Sequence, residues 1–212
     1  MKYIKVLIFA IGLTFLGCNQ NEEVVVIDEE QTENLQEKKM SKDEEEIQNL
    51  IRQVLKWADS KWADSEPSML SDDQDSIYIG FNLNVHEKDV DKLRKTGFFA
   101  KEFIENYDKI ILTLDKKLRN NEYGEWLVGD LPPFNFASDY SPWCNCQDNL
   151  SPWDDVEIEV IELNNDKAQL VWKWGESDYS NENDSYKFRT VKENGKWKIS
   201  YMEGFDFKKS VE

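Results

Sequence analysis

The chain has 212 residues with 26 basic and 43 acidic side chains, a net charge of −17. So acidic a body repels phosphate backbones and anionic lipid surfaces, which argues against nucleic acid as a partner and leaves membrane attachment to a covalent device. Aromatic residues make up 13 % of the sequence, enough for one real core, and the length fits a single domain plus a tether.

At the N-terminus Lys2 and Lys5 precede an apolar run from Val6 to Leu16, followed by Gly17-Cys18. The run is too short to span a bilayer comfortably and has the charged start and small-residue finish of a secretory peptide. Leu16-Gly17-Cys18 resembles a bacterial lipobox, in which the cysteine thiol is lipidated and becomes the first residue of the mature protein. Residues 1–18 are therefore expected to be a lipoprotein signal peptide, with Cys18 as the lipidation site and the membrane as a partner through it. Residues 19–42 are polar and acidic, broken only by Val24 to Ile27, and read as a flexible tether. The pair Glu22-Glu23 resembles signals that carry Gram-negative lipoproteins to the cell surface, and Asn19 is not the aspartate of inner-membrane retention. The expected location is the outer membrane, facing the periplasm or the cell surface.

The globular part is expected over residues 43–208. Ser41 and Glu44 have the spacing of a capping box, and Ile47, Leu50, Ile51, Val54, Leu55, Ala58 and Trp62 recur at helical spacing, predicting a helix that ends near Asp64. Ile77 to Leu83 reads as a short strand or turn. His86 to Lys95 reads as a short polar helix broken at Gly97, with its one histidine facing solvent. Thr96 can cap a stronger helix whose stripe of Phe99, Phe103, Tyr107, Ile110, Leu114 and Leu118 is core, and Asn120-Asn121 stops it.

From Glu125 to Asp155 prolines interleave with aromatic residues and no regular period survives, the pattern of a long loop with a job of its own. It carries Cys144 and Cys146, the only cysteines besides Cys18. Residues two apart in an extended chain sit at the far limit of disulfide reach, so a bridge between them requires the backbone to bend. Acidic neighbours favour a structural over a redox use of these thiols. The last third alternates: Val156, Ile158, Val160; then Leu170, Trp172, Trp174; then Tyr186, Phe188, Thr190; then Trp197, Ile199, Tyr201 after the Asn194-Gly195 turn. The four antiparallel strands must lay an apolar face over the helical stripe, so the fold class is α+β, with N-terminal helices packed on a curved antiparallel sheet.

This order of elements resembles the cone-shaped fold of nuclear transport factor two, ketosteroid isomerase and scytalone dehydratase. More narrowly, the segments from Thr96 to Phe99, from Trp143 to Asp148 and from Gly195 to Ile199 resemble an uncharacterised family of small bacterial lipoproteins carrying a domain of unknown function. That resemblance covers about residues 45–205 and implies fold and location, with no activity to carry over.

For function, the aromatic residues Phe136, Trp143, Trp153 and Trp172 are the expected binding surface for a small molecule or an envelope protein, in a non-catalytic, lipid-anchored domain. The alternative is an isomerase-like or dehydratase-like enzyme with Asp148 or Asp139 as base and Tyr140 as proton donor. An immunity-type interaction protein needs only the same exposed surface as the first reading. Neither the cysteines nor the acidic run from Asp148 to Asp155 has the spacing of a metal site, and neither a metal nor a cofactor is expected.

Overall fold

The computed structural model describes residues 40–60, 67–138, 140–146, 153–173 and 185–212. The signal peptide with Cys18, the tether up to residue 39, Trp62, Asp139, Asp148 and Trp174 lie outside them, and Lys42, expected to end the tether, is the first residue of a helix. The compact unit runs from Lys39 to Glu212 and so continues beyond 208.

It is a mixed α+β fold. Helix α1 (Lys42–Ser60) is followed by a ribbon of β1 (Met69–Ser71) and β2 (Tyr78–Phe81), then by helices α2 (Leu83–Thr96) and α3 (Lys101–Arg119). After the long loop, the strands β3 (Glu157–Leu163), β4 (Lys167–Lys173), β5 (Ser185–Glu193) and β6 (Lys196–Met202) form an antiparallel meander in sequence order, and a short α4 (Phe207–Ser210) closes the chain.

The capping box at the start of α1 is made in both directions: Glu44 N–H donates to Ser41 Oγ at 3.2 Å and Ser41 N–H to the Glu44 carboxylate at 2.6 Å. The apolar face of α1 is buried at every position from Ile47 to Ala58 that the spacing marks. Asp43, one residue inside the helix, accepts from Lys192 Nζ at 2.7 Å and Trp197 Nε1 at 2.8 Å, which pins the first turn to the β5–β6 hairpin. Gln48 and Arg52 donate to the carbonyls of Ile158 and Val156, covering backbone that edge strand β3 would otherwise leave bare.

Thr96 does not cap α3. It is the last residue of α2, where its hydroxyl donates to Leu93 O, and Gly97 ends the helix at φ 73°. The chain then runs alongside β6: Ile199 N–H donates to Phe98 O and Ala100 N–H to Ile199 O, each at 2.8 Å. This pairing, rather than a capping side chain, starts α3.

Phe103 and Tyr107 of α3 share one buried cluster with Trp172 of β4 and Trp197 of β6. Each large side chain so buried contributes about 1.5–3 kcal/mol. The alternation of β6 breaks near its end. A β-bulge opposite Arg189–Thr190 pairs Ile199 with Thr190 but Tyr201 with Arg189. The extra residue turns Tyr201 outward and buries Met202 completely.

His86 is buried, at 7 % exposure, against the expectation that it faces solvent. Its ring packs edge-on against Tyr107, and Nε2 meets Asp108 Oδ1 at 2.8 Å, so one turn of α3 draws a polar residue of α2 inward.

Candidate functional site

The ribbon and the first part of the long loop build an open cavity with aromatic walls. Between β1 and β2 the Asp72 carboxylate accepts from Ser76 N–H at 2.7 Å, Ser76 Oγ at 2.8 Å and Ile77 N–H at 3.2 Å. These donors hold its pKa below the usual carboxylate value. The far side of β2 takes up the loop as a third strand-like segment: Tyr78 N–H donates to Trp126 O at 2.9 Å and Val128 N–H to Ser76 O at 3.0 Å. A turn with Gly129 at φ 94° then brings Asp130 O to Trp126 Nε1 at 3.0 Å. Leu131 is thrown outward at 68 % exposure. Pro132 follows, and Phe134 returns to the core, packing on Trp126 and Phe81 with centroids 5.4 and 6.1 Å away.

The ribbon is held down from α3. Asp115, buried on that helix, accepts from Phe81 N–H at 2.8 Å and from Arg119 Nε at 2.8 and 3.0 Å. Gly80 is required there, because a Cβ would lie 2.7 Å from both Asp115 Oδ1 and Arg119 Nη2.

The cavity measures about 260 Å³ and is walled by Tyr78, Phe81, Trp126, Phe134 and Phe136, with Leu131, Asp130 and Ser138 on its lining. Among the described residues, five of the nine large hydrophobic side chains left exposed are Leu70, Ile79, Leu127, Val128 and Leu131, all on this ribbon and loop.

Of the four aromatic residues expected at the binding surface, Phe136 alone lines this cavity. All four belong to the core, Phe136 at 3 % exposure included. Trp143, at 5 % exposure, sits among Phe205, Trp57 and Phe99 with centroids 4.6 to 5.8 Å away. Trp153 and Trp172 face each other edge to face at 6.3 Å, and Trp172 continues to Tyr186. In the described part of the second half of the loop, Trp143 and Trp153 pack as a wall against the rings of the helices and sheet.

Cys144 and Cys146 are bridged, with their Cα atoms 5.2 Å apart. The bend comes from Asn145 at φ 53°, inside a turn closed by Ser141 N–H to Cys146 O at 3.0 Å. Tyr140 is exposed and lines a separate cavity of about 240 Å³ with Ser141, Asn145 and Gly204. Its supposed partners Asp139 and Asp148 fall outside the described residues. A further hollow of about 330 Å³ lies on the sheet, lined by side chains of both charges such as Glu102, Glu162, Lys167 and Arg189. Among the described residues no three His, Cys, Asp or Glu side chains are grouped so as to hold a metal, and no helix is long and apolar enough to cross a membrane.

The sequence reading missed Tyr78, Trp126, Leu131 and Phe134. The Gly129-Asp130-Leu131-Pro132-Pro133 run was the available signal, since a turn followed by two prolines holds an apolar residue at the surface. No protein-family model, curated protein or solved structure matches this chain.

Proposed function

We propose that this is a lipid-anchored envelope protein, held at the outer membrane through Cys18, whose folded part is a non-catalytic binding domain. The fold reading that goes with it is the nuclear-transport-factor-two-like cone. The contact of α3 with both β2 and β6 supports it, since a long helix against a sheet is that fold's central feature. Binding takes place on the β1–β2 ribbon and the 126–138 loop. The observation that carries this reading is Leu131, exposed beside a cavity walled by Tyr78, Trp126 and Phe134. Cavities lined by aromatic side chains take up apolar groups by burial and ring contact.

The test is binding of the neutral apolar dye Nile red to the full chain, with Leu131→Asp as the disabling variant. Leu131 is too exposed to support the fold, so the variant should melt within about 0.5 kcal/mol of the parent. Dye fluorescence should fall to background. Unchanged dye binding by a folded Leu131→Asp protein would remove the site.

A further inference from the structure

Resting on that reading, we infer that the occupant of this surface is a polypeptide segment in which a large apolar side chain is flanked by lysine or arginine. The two stretches that build the site, residues 67–81 and 120–138, contain no lysine or arginine. They carry Asp72, Asp73, Asp75, Glu122, Glu125 and Asp130. Two cations of the last turn of α3 are engaged: Arg119 is bound by Asp115, and Lys117 Nζ donates to Val211 O at 2.6 Å. The acidic turn is fastened beside the apolar rim, because Ser76 O accepts from Val128 N–H and Ile77 pairs with Leu127. A cavity walled by aromatic rings is thus built from two stretches whose charged side chains are all carboxylates, with Asp130 on the lining itself. Charges of that one sign steer cations in and reject acidic partners.

Size selects a polypeptide over a small cation. The cavity, at about 260 Å³, is smaller than the roughly 300–1,000 Å³ usual for small-molecule sites. It has room for one large side chain, while Leu131, 68 % exposed on its lining, carries apolar surface past that volume. Only a ligand that continues past the cavity covers both.

The experiment is calorimetric titration of the full chain with three short synthetic peptides in which leucine and phenylalanine alternate with lysine, glutamine or glutamate. Nile red displacement is followed in parallel. The lysine peptide should bind and displace the dye, weakening as salt is raised, and the glutamate peptide should not bind. The triple variant Asp73→Asn, Glu122→Gln, Glu125→Gln alters exposed side chains outside the cavity lining and should keep the fold and the dye while binding the lysine peptide roughly tenfold more weakly. Equal binding of all three peptides, or an unaltered affinity in the triple variant, overturns the cationic assignment while leaving the binding surface intact. Dye binding without displacement by the lysine peptide does the same. If dodecyltrimethylammonium displaces the dye as tightly as the peptide, the occupant is a small cation and the polypeptide assignment fails. Loss of dye binding by the parent protein itself would instead remove the underlying surface.

Discussion

Phe81 on the ribbon donates its backbone N–H to the buried carboxylate of Asp115 on α3, so the surface that carries the exposed apolar residues hangs from the central helix by a charge. Removing that charge leaves the Phe81 amide and the Arg119 guanidinium without their acceptor. Asp115→Ala should cost about 3 kcal/mol, and Asp115→Asn, which keeps one acceptor oxygen, about half of that. Urea denaturation followed by tryptophan fluorescence measures both, and equal stability of parent and Ala variant would mean that the ribbon does not depend on this anchor.

Gly204 sits against the Pro142 backbone so closely that a Cβ would fall 2.1 Å from the carbonyl oxygen. Its N–H also donates to Tyr186 Oη at 2.8 Å, and that hydroxyl in turn donates to Pro142 O. Gly204→Ala should therefore destabilise by roughly 3 kcal/mol, since backbone and not a flexible side chain has to move. Gly124 makes the control: its Cβ would meet nothing within 4 Å, and Gly124→Ala should cost about 1 kcal/mol from its left-handed backbone alone. Thermal melts of the pair give the comparison.

The Cys144–Cys146 bridge closes a ring of minimal length, which removes little freedom from the unfolded chain. Replacing both cysteines with alanine should lower stability by about 1.5 kcal/mol. The melting temperature should fall by about 3–6 °C. A much larger loss in calorimetry would mean that the 141–146 turn cannot hold its wall of aromatic rings without the bridge.

Stability should fall at both ends of the pH scale for identifiable reasons. Hydrogen bonds from Lys192 and Trp197 hold Asp43 below its ordinary pKa, and Lys198 does the same for Glu193. Carboxylates depressed in the folded state stabilise it above their unfolded pKa, and that contribution is lost as pH falls through the folded value. Burial raises the hydroxyls of Tyr107 and Tyr186, and pushes Tyr201 up to about 12. These groups favour the fold below the unfolded tyrosine pKa of 10.0 and cease to do so as pH rises from there. Denaturation across pH should show both limbs, with Asp43→Asn flattening the acid limb and leaving the alkaline one unchanged.

Local rules carried the helices and hairpins. Ser41 and Glu44 met in the expected capping box, the α3 stripe lies in the core, and Asn194-Gly195 turns the chain with both residues at positive φ. What local patterns missed came from tertiary contact. His86 reads as a surface residue until Asp108 and Tyr107, on another helix, are set against it. Tyr201 and Met202 exchange faces because of one unpaired residue in a bulge. Trp143 and Trp153 of the loop and Trp172 of β4 read as a binding surface, yet they are spent filling space in the core. The cavity beside Leu131 was harder to see, because it is assembled from a ribbon and a loop separated in sequence by two helices.

The backbone pairing of Phe98 to Ala100 with Ile199 has a consequence for biogenesis. The segment that seats the middle helix waits for a strand synthesised nearly a hundred residues later. Until that strand arrives, α3 has only α2 and the β1–β2 ribbon to pack on and the apolar face of α1 lacks the sheet, so the sheet side of the core closes last.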